Sequence, residues 1–135
     1  MSDIKLKTRP HKYWKKDFII IPYQVYPFDL LVSWHTEYSD LEEVLKKRLP
    51  ADVHKEIKRF KGRYDARTWM FKSGQTCVRF VKDNEGLIAH EVFHAVCALM
   101  EHIGAKLNRD SEECYAYLIG YITRKIYENF DEKAV

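Results

Sequence analysis

The run EGLIAHEVFHAVCALMEHIG, residues 85 to 104, constrains this chain more than any other stretch. Leu87, Ile88, Val92, Phe93, Val96, Ala98 and Leu99 make it apolar nearly all round, the pattern of a helix packed inside a domain. Asp83 or Asn84 can cap it and Gly104 can end it, so the spacing predicts a helix from about 85 to 103. At its centre stand His90, Glu91 and His94. Burying three such groups without partners would cost several kcal/mol in sum, about 2 or more each. A bound cation would offset that cost. Two satisfied core histidines are the plainer reading of the same residues.

The rest of the chain supplies something for that helix to pack on. DFIIIPY at 17 to 23 and PFDLLVSW at 27 to 34 read as strands, β-branched and aromatic, the first ending near Pro22. Leu41, Val44, Leu45 and Leu49 have helical spacing after a cap at Ser39 or Asp40, and Pro50 stops that helix. ADVHKEIKRF at 51 to 60 is a second short helix, ended by Gly62. RTWMF and QTCVRFV are strand-like, with KSG between them as a hairpin turn. A last helix is expected from Asp110 or Ser111 to about Phe130. With 135 residues, 46% of them hydrophobic, the chain fits one domain over residues 1 to 135 with a real core, residues 1 to 16 forming a flexible basic tail. The expected class is α+β: a small, mostly antiparallel sheet packed on two long C-terminal helices.

His90 and His94 stand at i and i+4, neighbours on one helix face about 5–6 Å apart at Cβ. Two imidazoles held so can reach one ion at the roughly 2.0–2.1 Å of a zinc–nitrogen bond. Glu91 borders the same face, beside the ion rather than on it, where a carboxylate can act as general base toward a water. This is the chemistry attached to the HExxH pattern on a helix. A catalytic zinc needs a third protein ligand and an open position. The extended pattern HExxHxxGxxH fails, because Cys97 and Met100 stand where its Gly and third His belong. His102 lies eight residues past His94, about 12 Å further along the helix, and reads as a C-terminal cation.

The better third ligand lies in NRDSEECYAYLIGYI. Glu113 follows His94 with 18 residues between them. His94 is about 14 Å before the helix end, and the connector 104 to 109 can span up to about 20 Å, so the next helix can return Glu113 to the histidines. Glu113 shares a stripe with Ala116, Tyr117 and Gly120. That stripe is the expected face toward the first helix, with Ala116 and Gly120 letting the two pack closely. Glu112 is the competitor, expected to point to solvent with Arg109. The plain alternative for either is an acidic first helical turn, favourable to the helix dipole.

HEVFH, the 18-residue gap to Glu113 and the EECYAY around it resemble the gluzincin arrangement of zinc metallopeptidases, in which HExxH lies on one helix and a glutamate ligand on the next. The size is similar to that of minimal gluzincins, the short ones encoded by phages and mobile elements. The likeness covers about residues 86 to 121. It implies a zincin-like fold, zinc ligands His90, His94 and Glu113 for one Zn2+ per chain, and Glu91 as general base. It also implies a Tyr or His that stabilises the oxyanion. Tyr117, one turn beyond Glu113, is the favoured candidate among Tyr115, Tyr121, Tyr127, His35, Tyr38 and His54. QTCVRFV resembles the edge strand that lines the cleft in that clan and pairs with an extended substrate.

The expected activity is therefore zinc-dependent endopeptidase hydrolysis of a peptide or protein, in a shallow cleft with a narrow substrate or a protein partner's help. The alternative is a non-catalytic zinc-binding structural or interaction protein of phage or mobile-element origin. A net charge of +3 is too weak a bias to argue for nucleic acid, although basic residues cluster at 5 to 16 and 55 to 67. A nucleic-acid-associated protease is a third reading of that second cluster. Cys77, Cys97 and Cys114 are odd in number, form no CxxC and sit in apolar context, where Cys acts as a small hydrophobe, so a reducing compartment is expected. With no apolar leader and no apolar run long enough for a membrane span, the expected location is the cytoplasm.

Overall fold

The structure, a computed structural model, describes residues 18–23 and 26–130. The expected basic tail of residues 1 to 16 lies outside them. Four strands and three α-helices follow in order: β1 (Phe18–Pro22), β2 (Asp29–Trp34), α1 (Tyr38–Arg48), a 3₁₀ helix (Ala51–Phe60), β3 (Ala66–Met70), β4 (Thr76–Phe80), α2 (Glu85–His102) and α3 (Glu112–Phe130). The class is α+β. The sheet has the order β1-β2-β4-β3 and is mixed: β1 on β2 and β3 on β4 are antiparallel, while the central pair, β2 on β4, is parallel.

That central pair explains the apolar runs in the sequence. Strands buried on both faces lose the apolar-polar alternation of a half-exposed strand. Leu30, Val32 and Trp34 of β2, with Val78 and Phe80 of β4, face one layer, and Leu31 and Cys77 face the other. The first layer is α2 and α3, through Ile88, Val92, Ala95, Val96 and Leu99 of α2 and Leu118, Tyr121, Ile122 and Ile126 of α3. The second is α1 and the 3₁₀ helix, through Leu41, Leu45, Val53, Ile57 and Phe60. The sheet is thus covered on both sides, not only by the C-terminal helices. Pro22, which has no N–H to donate, ends β1 on an edge of the sheet.

Three local features differ from expectation. Neither Ser39 nor Asp40 caps α1: Glu37 holds the cap position without a side-chain bond, and Asp40 sits in the first turn, where its charge suits the helix dipole. QTCVRFV, read as the cleft-lining edge, is the interior strand β4, buried along its whole length, and β3 is the edge. Cys114, expected in an apolar setting, is exposed.

The other boundaries follow their signals. Asn84 caps α2, its side chain accepting from the Leu87 N–H at 2.8 Å. Gly104, at φ +82°, turns the chain out of α2. The β3–β4 turn needs Gly74, whose φ is +102° and whose added Cβ would stand 3.1 Å from the Phe28 ring and 3.2 Å from His102. Among the described residues no helix is long and apolar enough to cross a membrane.

Candidate functional site

Helix α2 lies across β3 and β4 and packs on α3. Its buried stripe is apolar, and this sorts the three polar groups at its centre. Glu91 points inward and is 5% exposed. His90 and His94 do not: the His90 side chain is 64% exposed and His94 is exposed as well. Only one of the three groups expected in a core is therefore buried. The histidines sit on an open face, with Phe93 between them 42% exposed.

The two imidazoles converge. Their Nε2 atoms are 3.1 Å apart and their rings meet edge to face, centroids 4.6 Å apart. Tetrahedral zinc with nitrogens at 2.0–2.1 Å holds two of them about 3.3 Å apart. The pair is close to that spacing without rearrangement. The same separation also serves a hydrogen bond between the rings.

Glu91 is held from the sheet. Thr68 on edge strand β3 donates its hydroxyl to Glu91 Oε1 at 2.5 Å. The other oxygen, Oε2, lies 3.9 Å from His90 Nε2. One oxygen is thus tied down, and the other is turned toward the space the histidines share. A hydrogen bond to a charged carboxylate is worth about 1.5–3 kcal/mol. Sequence reasoning missed Thr68. The only trace in the sequence is an isolated hydroxyl within RTWMF, and its partner lies 23 residues on. Thr68→Val, nearly the same shape, strands a buried carboxylate oxygen and is expected to lower unfolding free energy by about 1–3 kcal/mol in urea denaturation.

The C-terminal helix is arranged differently from expectation. Its buried face is Tyr115, Leu118, Tyr121, Ile122 and Ile126. The stripe Glu113, Ala116, Tyr117 and Gly120 is exposed, and a Cβ added at Gly120 meets nothing within 4 Å, so these small residues do not serve close helix packing. Among the described residues no group of three or more His, Cys, Asp or Glu side chains is gathered as a metal ion would need. Glu113 and Glu112 are both exposed, and exposure does not separate them.

The oxyanion candidates sort by what their polar atoms already do. Tyr115 donates its hydroxyl to the Ala105 carbonyl at 2.8 Å, and Tyr121 donates to that of Pro22 at 3.0 Å. His54 Nε2 donates to the Leu49 carbonyl at 2.9 Å, and His35 Nε2 pairs with Asp83 at 2.7 Å. Tyr117 is 58% exposed, its ring parallel to that of Tyr121 at 6.4 Å, and its hydroxyl has no partner among the described residues. His102 packs edge-on against Phe28 at the far end of α2. Burial pushes the Cys77 thiol well up, and to a lesser degree that of Cys97, where Glu101 adds to the effect. Neither thiol is poised to be a nucleophile. No family model, curated protein or solved structure matches this chain, so the residues and their geometry carry the functional argument by themselves.

Proposed function

We propose that the chain is a zinc metallopeptidase whose ion is held by His90, His94 and Glu113. The observation that carries this reading is the convergence of two exposed imidazoles at 3.1 Å beside a buried, hydrogen-bonded carboxylate. Ordinary surface histidines have no reason to stand over a fixed, desolvated acid. The donor set fits zinc, which takes neutral imidazole and carboxylate. Glu113 is exposed and has no hydrogen bond or ion pair with a described residue, so nothing holds its carboxylate elsewhere.

When bound, zinc supplies Lewis acidity, polarising the scissile carbonyl and making a water easier to deprotonate. Glu91 receives that proton at Oε2, the oxygen Thr68 leaves open, and passes it to the departing amine. Thr68 keeps the carboxylate from turning away. Tyr117 is our assignment for oxyanion donor, on the ground that its hydroxyl is exposed and uncommitted.

Elemental analysis of purified protein tests the ligand set, comparing wild type with Glu113→Ala and Glu112→Ala. One zinc per chain, lost in Glu113→Ala and kept in Glu112→Ala, is the expected result. Loss only in Glu112→Ala would move the third ligand by one residue. No metal in wild type after zinc is added back would end the reading.

A further inference from the structure

Two independent features meet at edge strand β3. The first is its main chain. Phe71 N–H donates to Gln75 O at 2.8 Å, and Val81 N–H donates to Asp65 O at 2.9 Å. With the register Arg67↔Arg79 and Trp69↔Cys77, these bonds fix the parity of the ladder. Asp65, Arg67, Trp69 and Phe71 turn their amides and carbonyls inward to β4. Ala66, Thr68 and Met70 therefore turn theirs outward. Among the described residues no strand or side chain pairs with those outward groups. Thr68, the middle of the three, is the residue bonded to Glu91. The open edge thus runs directly beside the candidate site.

The second feature is the other face of the same strand. Lys55, Glu56, Lys58 and Arg59 of the 3₁₀ helix and Arg67 of β3 line a cavity of about 530 Å³. Four cations face one carboxylate there. Glu56 is already occupied, accepting from Trp69 Nε1 at 3.0 Å and from the Lys72 N–H at 3.2 Å. Arg59 lies over the Trp69 ring at 4.4 Å and Arg67 over the Tyr64 ring at 4.3 Å, so both guanidiniums are held at the groove. Lys55 and Lys58 are exposed.

We infer that the polypeptide taken by this site is acidic at alternate positions, added as a strand to β3 with its carboxylates over Lys55, Lys58, Arg59 and Arg67. The inference rests on the peptidase reading for the role of the opposite face. An added strand continues the pleat, so its side chains alternate between the two faces of the sheet at a repeat of roughly 7 Å. One set faces Glu91 and the histidines. The other set faces the basic groove, where a carboxylate is the matching charge. Main-chain pairing supplies affinity without sequence preference, and the groove supplies the choice. A polynucleotide would use the same cations but not the unpaired amides of Ala66, Thr68 and Met70, which is why a peptide is the better fit.

The test is binding, read by fluorescence anisotropy on the Glu91→Gln protein so that no hydrolysis intervenes. Four probes are compared at low and at physiological salt: a labelled nine-residue peptide alternating Glu and Thr, its Gln–Thr counterpart, the Glu–Thr peptide with every second amide N-methylated, and a single-stranded oligonucleotide of equal charge. Several partly exposed charge pairs together are expected to make the Glu–Thr peptide bind about tenfold tighter than the Gln–Thr peptide. N-methylation should cost a similar factor. Lys55→Glu with Lys58→Glu, both on exposed positions, should erase the preference for the Glu–Thr peptide. Equal binding of the Glu and Gln peptides overturns the proposal. So does undiminished binding of the N-methylated peptide together with tighter binding of the oligonucleotide, the behaviour of a general polyanion surface. Because neither metal nor turnover enters the readout, selective binding by a protein that takes up no zinc on add-back would remove the peptidase reading and leave the groove standing. A zinc-loaded protein without peptide selectivity would do the reverse.

Discussion

Replacing Glu91 with Gln is expected to lower peptide hydrolysis by about 10²- to 10⁴-fold while leaving bound zinc unchanged. The substitution is nearly isosteric. Its amide oxygen can still accept from Thr68, which holds Oε1 at 2.5 Å, so the side chain keeps its place. What it loses is the capacity to take a proton at the atom facing His90. The position is 5% exposed, and a neutral amide costs less to bury there than a carboxylate, so the variant should be at least as stable as the wild type. The measurement is kcat/KM on a peptide substrate beside zinc content and Tm for both proteins. Retained zinc and retained Tm with lost turnover identify a base. Retained turnover would leave Glu91 as a buried structural acid and assign the base to another group. Loss of zinc itself would mean that the carboxylate is a ligand rather than a neighbour.

How legible this molecule is in its sequence depends on the range of the interaction concerned. Short-range signals are readable: Asn84 before the apolar run, Gly104 after it, Gly74 in the turn, and the i, i+4 histidines whose rings the structure brings together. Pairings over long range are not. β2 joins β4 across α1, the 3₁₀ helix and β3, and nothing local in DLLVSW says that its neighbour is parallel. Composition does not separate interior from edge either: β4 carries Thr76 and Arg79, β3 carries Thr68 and Arg67, and only the strand order makes the first interior and the second an edge. Thr68 and Arg79 illustrate the remaining limit. Arg79 is buried because its guanidinium bonds the Phe60 carbonyl at 3.1 Å and that of Thr36 at 3.0 Å, 19 and 43 residues distant, and no spacing rule foresees such partners. Glu113 is the opposite case. Helix periodicity put it on one stripe with Tyr117, which is correct, but the stripe's neighbour is set by how α3 rolls on α2. The bulk of Tyr115, Leu118 and Ile122 decides that roll.

Phe80→Ala is expected to cost about 3–5 kcal/mol of unfolding free energy, the range for emptying a buried aromatic site. Phe80 is 0% exposed at the C-terminal end of β4, where Ala66 of β3 and Trp34 of β2 are its register partners. Its ring lies 5.2 Å from that of Trp34, which in turn stacks on Phe130 at 4.6 Å with the planes 3° apart. The cavity would open among rings that cannot bend to fill it, and each of them joins a different element, so collapse is poor and the loss sits at the upper end. Domains of this kind hold about 5–15 kcal/mol in all, so a third or more of the stability is at stake. Urea denaturation followed by circular dichroism reads it as a lower midpoint with the slope unchanged. Phe93→Ala is the matched control: the same truncation on the exposed face of α2, beside the histidines, should move stability by no more than about 0.5 kcal/mol. A large loss at Phe93 would mean that α2 is rolled by about half a turn, so that Glu91 no longer faces the sheet. The histidine pair would then be the buried face, and the site would have to be rebuilt around it.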